Sequence, residues 1–407
     1  MLLPRLGALR TGPLVSRRFV LLASGQTISA LGSAMAPIAL AFAVLKISHS
    51  PRDLGIVLAA RSIAVVLFLL LGGAVSDRLP RHAVLVGSSL IAGLSQSAAA
   101  LLLFTGSAHI TALAALQLVN GASSAFTLPA ANALVPQTVP EGTLRQANAV
   151  QRMGSNSARI IGAALGGVVV AAFGPGWGIA ADAASFFVAA AMFATVRVTA
   201  AAVRKDSTLS QLAAGWREFW ARTWLWVVVA QFAFINMASG AAFNVLGPLV
   251  ASQRLGGAGA WGIIVAADTV GMLIGGLVAA RRHDKRPLLA GNLALFLQLP
   301  QLALLALAAP VPLIAASSVL AGVGIEVFAV RWITTMHEQI PADMQSRMFA
   351  YDALGSFLFI PIGQTLAGPA QSALGTPGAI WAGTATIGAA VLVVCFVPQV
   401  RFLRARA

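Results

Sequence analysis

A handful of charged residues stand where a chain this apolar has least use for charge. Glu326, Asp268, Arg61 and Arg331 each fall inside a long run dominated by Ala, Leu, Val and Gly. At the centre of such a run an ionised side chain costs about 2.5–3.5 kcal/mol on insertion scales, so each one needs a reason to be there. A carboxylate held in a dry helix bundle can take a proton or an organic cation, which makes Glu326 first and Asp268 second as candidates for proton or substrate exchange. Arg331 follows Glu326 by a spacing that separates the two by about 140° around a helix, a poor geometry for a permanent ion pair. Arg61 is expected either to pair across a helix interface or to snorkel outward. Gln26, Gln117, Asn120, Gln231, Asn236 and Asn244 add neutral hydrogen-bonding capacity. With Phe232, Phe234 and Trp332 they could line a pocket for amphiphilic molecules.

The elements that must position these residues are transmembrane helices. Of 407 residues, 58% are hydrophobic and only 10% charged, against about 25% charged in soluble chains. Runs long enough to cross a bilayer recur at 19–45, 54–76, 83–105, 110–135, 145–172, 177–199, 223–250, 260–280, 288–309, 311–335, 347–370 and 377–397, given that a crossing needs about 20 apolar residues. Run length and abundant Ala and Leu specify helices rather than the alternating strands of a barrel. The span at 19–45 follows Arg5, Arg10, Arg17 and Arg18 but exceeds the roughly 7–15 residues of a signal-peptide core, so it is expected to be retained. Cys395 is the sole cysteine, which excludes an internal disulfide.

The net charge of +15 reflects topology rather than nucleic-acid binding. With the N-terminus in the cytoplasm, almost every Arg and Lys outside the spans falls on the inner side, leaving Lys46, Arg52 and Arg254 outside. That asymmetry predicts both termini in the cytoplasm of a multi-pass protein of the inner (plasma) membrane. No nucleotide-binding Gly-rich loop, no metal-ligand cluster among scattered histidines and no soluble domain is present, which argues against an enzyme, a metal or any cofactor.

The polar stretch 200–222 divides the chain into 1–199 and 223–407. Trp216, Trp220 and Trp224 recur at a spacing that shares one helical face, so the stretch is read as holding an interfacial helix, or else an extension of the seventh span. The halves repeat: Pro140, Ala149, Gly154 and Ser155 are matched by Pro341, Ala350, Gly355 and Ser356. Gly72-Gly73-x-Val75 recurs as Gly275-Gly276-x-Val278, with Ala280 where the first copy has Asp77, so the acid of this loop is expected to act in one half only. Such repeats place a binding site between the halves of a secondary transporter.

Gly73, Asp77, Arg78 and Arg81 form a Gly-x-x-x-Asp-Arg-x-x-Arg loop between the second and third spans. This pattern resembles the signature loop of the major facilitator superfamily. Leu58-Ala59-Ala60-Arg61, Leu134-Val135-Pro136-Gln137, Gln146-Ala147-Asn148-Ala149 and Asp182-Ala183-Ala184-Ser185-Phe186 extend the likeness over most of the chain, and within the superfamily it is closest to bacterial drug and siderophore exporters.

The resemblance implies an all-α membrane protein of two pseudo-symmetric six-helix bundles. It implies proton-coupled export of an amphiphilic small molecule by alternating access in a monomer, with protons and the lipid bilayer as partners. A metabolite importer and a ligand sensor that moves nothing are the alternatives. Asp77 would close an inner gate against the start of the eleventh span, just after Asp343. Glu326 would lie on a cavity-lining helix. Gly162, Gly166 and Gly167 resemble the exporters' antiporter motif, with Ala163 in place of its proline; with Gly271 and Gly275 they would let helices 5 and 8 approach closely. Gln117 replaces an arginine common in proton-coupled relatives, and Ser33 replaces a frequent carboxylate.

Overall fold

The computed structural model describes residues 13, 16–78, 80–140, 142–196, 216–281 and 284–404. Helices α1 (Arg17–Ser48), α2 (Pro51–Arg78), α3 (Arg81–Phe104), α4 (Ile110–Thr138), α5 (Leu144–Phe173) and α6 (Pro175–Ala194) come first. They are followed by α7 (Thr223–Leu255), α8 (Ala258–Arg281), α9 (Pro287–Ala306), α10 (Val311–Gln339), α11 (Ala342–Phe357), α12 (Phe359–Cys395) and the single turn α13 (Pro398–Arg401). Among the described residues there is no strand, and nine stretches are long and apolar enough to cross a membrane. One of the nine, Arg347–Cys395, is interrupted at Gly375, whose φ of 69° breaks the helical path in α12. That break falls in the gap expected between 347–370 and 377–397.

Local chemistry sets the boundaries. Gly174 adopts a φ of 93°, a conformation that costs an L-residue dearly, and Pro175 then opens α6 with its fixed φ and missing N–H. In α7 the backbone widens into π turns at Gly240–Val245 and Ala251–Leu255, on either side of Pro248, which has no N–H to give the preceding turn.

The chain packs as two compact units, one within Met1–Ala43 and Ala60–Arg204, the other within Val44–Ala59 and Lys205–Ala407. The first has a core of Phe19, Leu22, Leu85, Leu134 and Phe193. In the second, the largest buried residues include Leu225, Leu246 and Ile264. Repeat-matched positions behave alike. The helix before Pro140 ends at Thr138 and the helix before Pro341 ends at Gln339. Gly154 of α5 abuts Thr27 of α1, and its counterpart Gly355 of α11 abuts Val229 of α7.

Within each unit the small-residue pairs let a helix lie close to its neighbour. Gly162 and Gly166 seat α5 on α1 at Leu31 and Met35, and a Cβ added at Gly166 would lie 2.9 Å from the Met35 Cα. Gly167 is buried beside them. Gly271 and Gly275 seat α8 on Val319 and Val323 of α10. Helix α8 thus lies close to α10 within its own unit, the glycines of α8 admitting the α10 backbone.

The tryptophans do not share one helix face. Arg222 leaves helical geometry (φ −100°, ψ 91°) and separates helical residues 216–221 from α7. Trp216 and Trp220 stay half-exposed, the first against Tyr351, whereas Trp224 is buried against Trp332. Arg222 folds back onto Glu218 in an i,i+4 ion pair. Helix α11 begins at Ala342 with Pro341 at its N-cap, so Asp343 lies in the first turn and does not cap the helix.

These contacts make a paired prediction. Gly322 of α10 meets the Asp268 carbonyl and lies 2.8 Å, measured from an added Cβ, from the Met272 nitrogen. Gly322→Val should abolish recovery of monodisperse protein or lower its thermal midpoint sharply. Gly87 has open space around it, so Gly87→Ala should be neutral or stabilising by about 0.5–1 kcal/mol through helix propensity. Equal midpoints for the two variants would show that the α8–α10 contact is not tight.

Candidate functional site

In the first unit, polar side chains from five helices meet. Gly32 of α1 packs against α6, where an added Cβ would sit 2.9 Å from the Asp182 Cα. This closeness lets Ser33 Oγ donate to Asp182 Oδ1 at 3.2 Å. Gln96 Nε2 on α3 donates to the other carboxylate oxygen at 2.7 Å, and Gln117 Nε2 on α4 donates to Gln96 Oε1 at 3.0 Å. Arg61 on α2 donates through Nε to Asn120 Oδ1 on α4 at 3.1 Å, so it turns inward and does not snorkel. Asp182, Gln96, Gln117 and Asn120 are all buried. Elsewhere in the unit, Gln151 Nε2 of α5 donates to Gln26 Oε1 of α1, while Gln26 Nε2 is left unpaired.

The second unit has its own network. Asp352 on α11 accepts from Trp332 Nε1 at 3.1 Å and from Ser356 Oγ at 3.3 Å, and Asn236 Nδ2 on α7 donates to the Ser356 carbonyl at 2.9 Å. Trp332 stacks on Phe328, Phe328 on Phe232, and Trp224 meets Trp332 edge-on at 5.6 Å, which gives Asp352 an aromatic wall. Gln231, two turns after Trp224 on the same face of α7, is buried with both amide atoms unpaired. Phe234 and Asn244 are exposed.

Glu326 lies midway along α10 against Gly275 and Gly276 of α8, whose added Cβ atoms would come 3.0 Å from its Cβ and 4.0 Å from its Oε1. Asp268 lies beside Gln301 of α9, whose Nε2 donates to Ser318 Oγ of α10 at 2.9 Å.

Gly73, Asp77 and Arg78 fall in the closing turns of α2 and Arg81 opens α3; the side chains of residues 69–79 lie outside the described set. In the second copy, Asp284 occupies the register of Arg81 and is ion-paired with Arg331, whose Nε donates to it at 2.7 Å while Nη1 donates to the Val327 carbonyl at 3.1 Å. The second loop thus carries an acid past Ala280, ion-paired to α10 of the same unit. Arg331 is committed to that acid and not to Glu326.

Sequence reasoning missed Gln96, Asp284 and Asp352. Each is a polar residue close to a span's end or in an unremarkable run, and only the partner across a helix interface marks it.

Residues 9–290 match the model of a family described as transmembrane secretion effector. The chain belongs to that family, within the major facilitator superfamily. The multidrug efflux pump Tap of Mycolicibacterium fortuitum is 24% identical over 97% of this chain and 98% of that protein. The enterobactin exporter EntS of Salmonella typhi is 25% identical over 69% of this chain and 67% of that protein. An uncharacterised MFS-type transporter, YfiS of Bacillus subtilis (strain 168), is 28% identical, but the match spans only 42% of this chain and 40% of that relative. A bacterial homologue of the lysosomal transporter Spinster, solved inward-facing and occupied, shares the fold with a TM-score of 0.77 at 13% identity, covering 97% of this chain and 99% of that one. The protein is therefore a multi-pass membrane transporter of the major facilitator fold, not an enzyme.

The Asp182 network makes a prediction. Gln96→Leu removes one of two donors to a buried carboxylate and should destabilise the protein by about 1–3 kcal/mol. Adding Asp182→Leu should recover part of that loss in a double-mutant cycle read by thermal unfolding. Strictly additive losses would show that the two side chains do not interact.

Proposed function

We propose that this transporter exports an amphiphilic small molecule from the cytoplasm by alternating access, driven by protons moving inward. In this reading it works as a single chain in the inner (plasma) membrane with both termini cytoplasmic. Asp352 carries the proposal. Its carboxylate is held only by an indole N–H and a hydroxyl among the described residues, beside a wall of aromatic rings. Neutral donors hold the group in place without fixing its charge, so it can take a proton or give it up as an amphiphile arrives. Glu326, midway along α10, is the second exchange carboxylate. Asp77 belongs to the gate: its loop would latch the cytoplasmic side and release during turnover. The match along nearly the whole length of a multidrug efflux pump supports export, and so does the match to an exporter of enterobactin.

The test is uptake of fluorescent amphiphiles by proteoliposomes under an imposed pH gradient. The parent should concentrate at least one dye. Asp352→Asn and Glu326→Gln keep size and hydrogen bonding but cannot titrate, and should lose uphill transport while still exchanging dye down its gradient. Asp77→Asn should slow turnover with dye binding intact. Parental uphill transport in both carboxylate variants would remove them from coupling, and no movement of any dye by the parent would count against export.

A further inference from the structure

We infer that Arg61 and Asn120 form a receiving site for an anionic group, a carboxylate or sulfonate, on the transported molecule. The inference rests on the transport reading above and adds to it a substrate chemistry and a place in the first unit.

The donors there outnumber the acceptors. Arg61 Nε donates to Asn120 Oδ1 at 3.1 Å. An Nε–H can only donate, so the Asn120 atom facing it must be the oxygen, and the orientation of the amide is fixed by chemistry. Asn120 Nδ2 is then the free end; it is buried and has no partner. The two terminal nitrogens of Arg61 make no hydrogen bond among the described residues, and the residue as a whole is partly buried. A guanidinium fork and an amide N–H₂ side by side present donors alone, in the planar arrangement that matches the two oxygens of a carboxylate.

The neighbouring acid does not fill that role. Asp182 is near enough to act on the Arg61 charge, but it makes no hydrogen bond or ion pair with it among the described residues; its oxygens accept from Ser33 and Gln96. Arg331 in the second unit shows what a satisfied arginine looks like in this protein: its nitrogens are closed by the Asp284 carboxylate and the Val327 carbonyl. Arg61 has the same fork without the acid. Its position is also built: Gly121, next to Asn120, packs on the Arg61 carbonyl, and an added Cβ there would lie 3.1 Å from the Ala64 Cβ. The contact sets the depth at which α4 presents Asn120 to α2.

The experiment is equilibrium dialysis of the purified full chain in lipid nanodiscs against fluorescein and naphthalene-2-sulfonate as anions and rhodamine 6G as a cation. The parent should bind at least one of the anions saturably. Arg61→Gln should weaken that binding by about tenfold or more, the loss expected for a charge-assisted hydrogen-bonded pair, while rhodamine 6G binding changes little. Arg61→Lys should retain part of it. Asn120→Asp places a carboxylate beside the fork, so it should abolish anion binding and raise the thermal midpoint, which keeps the test decisive if Arg61→Gln fails to fold. No saturable anion binding by the parent, unchanged anion affinity in Arg61→Gln and Asn120→Asp, or equal losses for anion and cation would overturn the inference. Transport is scored separately: dye movement by the parent with no anion site sinks this inference alone, whereas an Arg61-dependent anion site in vesicles that move no dye sinks the transport reading alone.

Discussion

A polar group inside a bundle that is surrounded by hydrocarbon must find its partner within the protein, because no water is there to supply one. Much of this structure follows from that constraint. Side chains can meet across a helix interface only where backbones approach closely, and here several of the meeting points lie next to a glycine that permits the approach. Gly32 precedes Ser33, Gly121 follows Asn120, and Gly355 precedes Ser356. Each glycine packs against a neighbouring helix where a Cβ would collide. Packing and polar satisfaction are thus one device: the glycine sets the interhelical distance, and the adjacent polar residue uses it.

The two units apply that device to different ends. In the first, a carboxylate is tied to neutral amides and a hydroxyl, and an arginine is left with part of its fork open. In the second, an arginine is closed by an acid from the loop after α8, while another acid, Asp352, is held by neutral donors against aromatic rings. Matched proline and glycine positions show that the halves share a framework. Their chemistry has diverged on that framework.

The spans were legible in the sequence because run length and hydropathy are local properties, and so was the interruption near Gly375. The loop pattern and the repeat were legible for the same reason. Partners were not. Asp284 is displaced from the register of Asp77, and nothing along the chain ties it to Arg331, 47 residues away. Gln96 sits in an ordinary run of small residues, and its value lies in facing Asp182 from another helix. The spacing of Trp216, Trp220 and Trp224 suggested one face, but the non-helical backbone at Arg222 splits them between two elements. Gly271 and Gly275 have the right spacing for close packing, and the spacing does not say which helix comes close.

The central claim is that a half-buried carboxylate, Asp352, exchanges protons as the substrate leaves. The most direct measurement starts from proteoliposomes with no pH gradient, a pH-sensitive dye trapped inside and a concentration gradient of a transported amphiphile across the membrane. Substrate flow down that gradient should drive protons in the opposite direction, in an amount that scales with substrate moved and that disappears in Asp352→Asn. Substrate movement with no accompanying proton flux, or a proton flux unchanged by that substitution, would contradict the account.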